Sequence, residues 1–390
     1  MKLLFLKWDS FGNPYIIEEY QRMGIQVICF DFPHKTEDTR GSEELASAIA
    51  KKILETNVDF VFSFNYFVTA AIACKACRVK YVSWTYDSPC IQLYSKTISY
   101  DTNVAFVFDK TEYYRLKNLG LDTVHYLPMA APVKHYDEMT PSKEQRKQYE
   151  ADIAMIGSMY NEKKHHLFRH FENLDSYTKG YLDAVMEAQK KVSGISLIES
   201  SLTPEIIKNM QKVCPMIARG DGLETIEWVF SNYFIARKLT AMERQEAISA
   251  LAEHYGVALY TPEKTPELRA DNRGSLDYYN QAPFAMKCAK INLNISLRSI
   301  VTGIPLRVFD VFGCGGFLLT NYQADMLDYF IPDQDFVYYD GVEDLVEKAG
   351  YYLEHDEERE KIAANGYKKV CENHTFAHRV TEILRVAGLS

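Results

Sequence analysis

N-L-N-I-S-L-R-S-I-V-T-G-I-P-L-R-V-F-D-V-F-G-C-G-G-F-L-L-T-N, Asn292 to Asn321, reads as strand, loop, helix, glycine turn and strand. Pro305 suits the first turn of a helix, where its missing N–H removes no bond. Gly303 just before it permits close backbone approach by a ligand. The start of such a helix presents unbonded N–H groups and a positive dipole end, an arrangement that holds a diphosphate. Arg298 and Arg307 can add charge-assisted bonds to phosphate oxygens. Asp310, about one turn after Leu306, is placed to accept hydrogen bonds from ribose hydroxyls. Gly313, Gly315 and Gly316 end the helix and restart a strand. The same spacing also describes a plain buried helix with a solvent-facing Arg and Asp, because a glycine-bounded helix is weak evidence by itself.

Outward from this stretch the alternation of strand and helix recurs. Lys2–Leu6, Gln26–Phe30, Phe60–Phe64, Lys80–Trp84 and Val104–Phe108 are short apolar runs. Helix-like segments at Asn13–Met23, Ser42–Glu55, Phe67–Cys77 and Thr111–Asn118 are interleaved with them. That order predicts βαβ units and a parallel sheet with right-handed connections. Pro132 to Gln148 is polar and reads as a linker. Asp152–Ile156 then opens a second alternating series, continued by Val257–Tyr260, Ile291–Ile295, Phe317–Thr320 and Phe336–Tyr339. Between them, residues of about 170–255 are helical without alternation, a helical insertion. The expected class is α/β: two Rossmann-like units flanking one linker, with ligand bound at the hinge.

Composition narrows the function. The chain has 390 residues, enough for two or three domains at roughly 100–200 each. A net charge of −9 argues against a general nucleic-acid binder, which needs Lys and Arg to neutralise phosphates. The 27 Tyr residues suit polar ligand sites, because the ring packs while the hydroxyl bonds, although most are expected at ordinary half-buried positions. Most of the eight cysteines lie in apolar runs, which points to a reduced, cytoplasmic protein rather than a disulfide scaffold. Cys74 and Cys77 form a lone CxxC; no matching second pair follows for zinc, and one helix face packing on a sheet explains it. Met1–Lys7 is too short for a signal sequence, and no window reaches about 18 apolar residues, so neither a leader nor a transmembrane helix is expected.

R-V-F-D-V-F-G-C-G-G-F-L-L-T-N, followed by F-V-Y-Y-D, E-D-L-V-E-K, E-R-E-K-I-A-A-N-G and H-T-F-A-H-R-V, resembles the C-terminal half of CgeB-like spore-maturation glycosyltransferases. F-S-F-N-Y (Phe62–Tyr66), V-S-W-T-Y-D-S-P (Val82–Pro89), V-F-D (Val107–Asp109) and H-Y-L-P-M-A (His125–Ala130) resemble the domain that often precedes that half. The resemblance implies a GT-B fold. It assigns residues 1–140 to an acceptor domain, 141–375 to a nucleotide-sugar-binding domain and 376–390 to a C-terminal helix. It also implies transfer of a sugar from a nucleotide-diphosphate-sugar donor to an acceptor protein, glycan or small molecule. Asp310 then binds the donor ribose, the Gly157–Ser158 loop approaches the phosphates or the sugar, and Tyr260 and Thr261 meet the base. Asn294 and Ser296 end a strand at the ligand. No metal cofactor is expected, since a helix N-terminus and basic side chains serve the leaving diphosphate in such enzymes. Neither Asp31-Phe32-Pro33 nor Asp87-Ser88-Pro89 makes a DxD metal signature.

The catalytic base stays open. An inverting enzyme needs a carboxylate or His to deprotonate the acceptor hydroxyl, whereas a retaining one can lack it. Asp9 follows the first strand, and Asp87 follows the strand ending at Trp84. A helix-cap region at D-S-F-G-N-P and a turn at D-S-P explain the same residues without chemistry. His125, His165 and His166 are lesser choices, and Tyr86 and Trp84 are possible acceptor-stacking rings, Trp84 better suited to a core. Two rivals remain: an epimerase of the same fold, and a binding module that keeps the donor site but lacks a base.

Overall fold

The computed structural model describes residues 1–33, 39–161, 166–217 and 219–389. It divides into two compact units, Met1–Pro132 with Arg219–Glu224 and His374–Ser390, and Val133–Ala218 with Thr225–Asn373. Each is built on a six-stranded sheet whose strand pairings are all parallel.

The first sheet has the order β2-β1-β3-β4-β5-β6. Its strands are β1 (Lys2–Lys7), β2 (Gln26–Asp31), β3 (Phe60–Phe64), β4 (Lys80–Thr85), β5 (Asn103–Val107) and β6 (Val124–Tyr126). The four apolar residues of β1 are fully buried while its two lysines are exposed, and every residue of β3 is buried. Such uninterrupted apolar runs mark parallel strands covered on both faces. Helices Asn13–Arg22, Glu43–Thr56, Val68–Cys77 and Lys110–Asn118 make the crossovers. Ser42 caps the second by accepting from the Leu45 N–H, and Asp109 caps the fourth by accepting from that of Thr111. Cys74 is fully buried on Val68–Cys77, where burial pushes its thiol up, and all eight cysteines are free.

The second sheet has the order β12-β11-β10-β7-β8-β9. Its strands are β7 (Ala151–Ile156), β8 (Val257–Tyr260), β9 (Asp271–Asn272), β10 (Ala289–Asn294), β11 (Leu318–Asn321) and β12 (Val337–Tyr339). Ile153, Met155, Leu259, Ile291, Leu293 and Leu319 of the sheet pack with Ile248 and Leu251 of helix Ala236–His254 and with Leu345 and Ala349 of helix Gly341–Glu354. A π-helical segment, Phe230–Ile235, leads into Ala236–His254. From β7 the chain runs outward to β8 and β9, then returns to the other side of β7 as β10. The first sheet reverses in the same way between β1 and β3. At such reversals the crevice outside the strands' carboxyl ends is the usual ligand position.

Three boundaries differ from the sequence expectation. The polar stretch expected as a linker contains two helices, Val133–Glu138 and Lys143–Tyr149, the second opened by a capping box between Ser142 and Gln145. Buried Tyr136 and Tyr149 tie both into the second unit, so the units divide at Pro132 rather than at 140. The C-terminal helix, Phe376–Ala387, is an integral part of the first unit, where Arg379 donates to the Pro128 and Met129 carbonyls at 2.7 and 3.1 Å. Within the expected helical insertion, Arg219–Glu224 also belongs to the first unit, through an antiparallel bridge between Ser95 and Gly222.

Candidate functional site

Four loops meet the carboxyl edge of the second sheet near its reversal: Gly157–Tyr160 after β7, Thr261 after β8, Ile295–Pro305 after β10, and the segment after Asn321. The first is a tight turn in which the Ser158 hydroxyl accepts from the Tyr160 N–H at 2.9 Å and Tyr160 has φ 60°. The Gly157 N–H extends the β7–β8 ladder to the Tyr260 carbonyl at 3.1 Å. Thr261 is 1% exposed, and its hydroxyl oxygen has no hydrogen-bond partner among the described residues. A buried hydroxyl is normally bonded, so this one stands out beside the ligand crevice.

Asn294 closes β10 with bonds to the Ser296 and Thr320 hydroxyls at 3.1 and 2.9 Å, and the Ser296 N–H donates to Asn321 at 2.8 Å. These bonds hold the carboxyl ends of β10 and β11 in register. Gly303 is buried in the loop that follows. Pro305 caps the helix Leu306–Gly313 with ψ 152°, one residue earlier than the expected first-turn position.

Asp310 occupies the interior of this unit. It is 0% exposed, its Oδ1 accepts from the hydroxyls of Tyr136 and Tyr278, both at 2.9 Å, and its Oδ2 accepts from Arg307 at 3.2 Å. Burial raises the Asp310 carboxyl, against the pull of Arg307 and the two tyrosines. Burial and the Asp310 charge push the Tyr278 phenol well up, which keeps it a donor.

Three of the expected site residues have another role here. Gly316 lies before β11, at the opposite end of the sheet; a Cβ on it would stand 2.6 Å from the Asn292 amide nitrogen, so it is a packing glycine. Tyr260 is buried against Tyr149 and receives a hydrogen bond from Arg273 at 3.2 Å, because strand alternation turns its ring away from the crevice. Arg298 is committed to Glu243, with contacts of 3.0 and 2.8 Å from its Nε, and to the Val192 carbonyl at 3.2 Å. Arg307 pairs with Asp310 and keeps a quarter of its side chain exposed.

Sequence reasoning missed Arg244. It lies on helix Ala236–His254, is 8% exposed, and donates to the main-chain carbonyls of Ser158 and Ile295. Its guanidinium lies over the Tyr160 ring, 4.8 Å from the centroid, and Arg237 lies over the same ring at 5.7 Å. The only sequence signal was the helical spacing of the two arginines.

In the first unit, Asp9 and Asp87 are both exposed at carboxyl ends of the sheet. The Trp8 and Tyr86 rings stack with centroids 6.1 Å apart, so the two carboxylates follow residues that touch each other. Gly12, not Asp9, caps the first helix. Asp87 accepts from the Asn65 amide at 2.6 Å, and Asn65 holds the turn in a left-handed conformation, φ 58°. Trp84 is fully buried and donates to the Leu127 carbonyl at 3.3 Å, a core role. His125 is half-buried on β6. His166 precedes the short helix Leu167–Phe171, and His165 lies outside the described residues. Among the described residues no helix is long and apolar enough to cross a membrane, and no group of three His, Cys, Asp or Glu is arranged for a metal ion.

Two Rossmann-like sheets in one chain, each with its reversal beside the first strand, define the GT-B fold of glycosyltransferases. Residues 240–385, which include Arg244, Thr261 and the loop after β10, match the family model described as "Glycosyl transferase-like". A stretch of 107 residues is 39% identical to the spore protein CgeB of Bacillus subtilis (strain 168), covering 26% of this chain and 32% of that protein. The match thus spans about a third of the relative's length. In structure, the chain is similar to Anabaena Alr3699/HepE in complex with UDP-glucose, with a TM-score of 0.56 and 11% identity over 100% of this chain and 99% of that one. It is also similar to T4 phage BGT in complex with its UDP-glucose substrate, with a TM-score of 0.51 and 11% identity over 99% and 98%.

Proposed function

We propose that the protein is a CgeB-like, metal-independent glycosyltransferase that moves a sugar from a nucleotide-diphosphate-sugar donor to an acceptor protein, glycan or small molecule in the cytoplasm. The observation that carries this reading is the convergence of Gly157–Ser158, Thr261 and the Ile295–Pro305 loop at the reversal of the second sheet, the last two within the matched residues 240–385. The Thr261 hydroxyl receives a bond from the base, and the backbone of the Gly157 and Gly303 loops approaches the diphosphate and sugar. The start of helix Leu306–Gly313 and Arg307 draw the leaving diphosphate. Asp310, fully buried, braces Arg307 at the start of that helix rather than making open contact with ribose. Asp9, which follows the first strand, serves as base, and Asp87, which accepts from the Asn65 amide, as an acceptor-binding group.

A thermal-shift panel of UDP, GDP, TDP and their sugars tests the donor. A ligand present at about 100 times its Kd stabilises by roughly 2.7 kcal/mol. UDP-glucose is the first to try, given the two UDP-glucose-bound neighbours. A flat response to every nucleotide refutes the reading. Donor consumption that requires an acceptor and survives EDTA supports transfer without metal. Altered sugar nucleotide released without acceptor marks an epimerase instead, and binding without turnover marks a binding module.

A further inference from the structure

We infer that Arg244 is the positioning residue of the donor site: it clamps the loops after β7 and β10 together at the sheet reversal and so fixes the backbone that meets the donor. The inference rests on the donor reading above. β7 and β10 are neighbours in the sheet but far apart in the chain, and at their carboxyl ends the two loops must diverge. A crevice opens there because the connections leave in opposite directions. Arg244 spans that divergence. One guanidinium nitrogen donates to Ser158 O, while Nε and the other terminal nitrogen both donate to Ile295 O. A planar fork with fixed donor directions sets the spacing between two carbonyls in a way a flexible ammonium cannot.

The surroundings hold Arg244 in turn. Tyr160, the last residue of the β7 loop, covers the face of its guanidinium, and a desolvated cation over an aromatic ring is held more firmly than an exposed one. A Cβ at position 157 would lie 3.3 Å from the Arg244 terminal nitrogen, so Gly157 leaves room for the fork. On the same helix, Thr240 accepts from the Arg298 N–H at 2.9 Å and Glu243 holds the Arg298 side chain. One face of Ala236–His254 therefore fixes the β10 loop at both Ile295 and Arg298. The π-helical segment Phe230–Ile235, a feature often found at functional sites, leads directly into that helix. Arg244 acts through Ser158 and Ile295 rather than by touching substrate.

The test compares wild type with Arg244→Met and Arg244→Lys, using hydrogen exchange on the free protein and calorimetric titration with UDP. Arg244→Met is expected to exchange about tenfold faster at residues 157–160 and 295–298, with the strands of the second sheet unchanged. UDP affinity should fall roughly ten- to a hundredfold. Arg244→Lys keeps the charge and reaches one carbonyl, so it should restore part of the protection and part of the affinity, and it remains informative if the Met variant does not fold. Unchanged exchange in the two loops overturns the inference. So does faster exchange throughout the second unit, which is the signature of a core residue only. Exchange needs no nucleotide, so wild type that fails to bind UDP counts against the donor reading while the loop protection still decides the role of Arg244.

Discussion

Arg40 and Glu224, 184 positions apart in the chain, form an ion pair at 3.1 Å in which both side chains are about 95% buried. Arg40 also reaches Asp221 at 3.3 Å, and Asp221 receives the Ser95 hydroxyl at 2.9 Å. These contacts fasten Arg219–Glu224 into the first unit. Glu224→Gln leaves the Arg40 charge buried with half of its compensation, and should cost about 3 kcal/mol in urea unfolding of that unit. The double variant Arg40→Met, Glu224→Leu should recover most of the loss, because the desolvation of both charges is removed together. A Glu224→Gln variant as stable as wild type would show that the pair contributes nothing.

Asp310 gathers the hydroxyls of Tyr136 and Tyr278 and the guanidinium of Arg307 around one carboxyl. Asp310→Ala leaves these donors facing an apolar gap and should destabilise the second unit by about 3 kcal/mol. Because burial raises the Asp310 carboxyl in the fold, the folded state holds that proton more tightly than the unfolded chain. Its contribution to stability is therefore full below the ordinary Asp value of about 3.9 and is lost as pH rises through the higher folded value. In Asp310→Asn that slope should vanish from a series of melts across the acid range.

How much of this was legible follows from what each residue depends on. β1 and β3 were readable because a parallel strand covered on both faces must be apolar throughout, a local property. The capping box at Ser142 was equally local, and only the polar composition around it suggested a linker. Arg298 was misread because its partner, Glu243, is 55 positions away, and no local pattern tells a phosphate-facing arginine from a paired one. Gly316 was misread for a related reason. A glycine after a helix looks the same whether its missing side chain makes room for a ligand or for Asn292. Tyr260 and Thr261 are adjacent, and strand parity alone decides which of them faces the crevice.

His125 offers a separate pH signature for the first unit. Burial, with a smaller contribution from the Lys117 charge, lowers its pKa below the ordinary histidine range, and its ring packs on Phe106 at 5.7 Å. The unfolded chain thus binds a proton that the folded chain resists. Stability from this group is present above about pH 6.5 and is lost as pH falls through the folded value. His125→Gln should narrow the gap between melting temperatures at about pH 7.5 and about pH 5.5, the two sides of the ordinary histidine pKa. An unchanged gap would remove His125 as the source.

Asp9 and Asp87 separate by kinetics. If Asp9 is the base, Asp9→Asn should lower kcat by roughly a hundredfold or more and leave donor affinity intact. Asp87→Asn should chiefly raise the acceptor KM, since its carboxylate orders the turn through Asn65. Equal activity of Asp9→Asn and wild type, with UDP-glucose as donor, would remove Asp9 from the mechanism and favour a retaining reaction without a protein base.

Thr261→Val distinguishes a ligand-binding hydroxyl from a structural one. In the fold, the Thr261 oxygen is buried and without a partner among the described residues, so its removal breaks no bond among them. Valine has nearly the same shape and no hydroxyl to desolvate. Chemical denaturation should therefore find Thr261→Val as stable as wild type, or more stable by about 1 kcal/mol. Titration with UDP should find it weaker by about tenfold, the equivalent of 1.4 kcal/mol, because the bond formed on binding is lost. The two effects have opposite signs, which no general loosening of the fold produces. A variant that loses stability and keeps its UDP affinity would place the Thr261 hydroxyl in the core and outside the donor site.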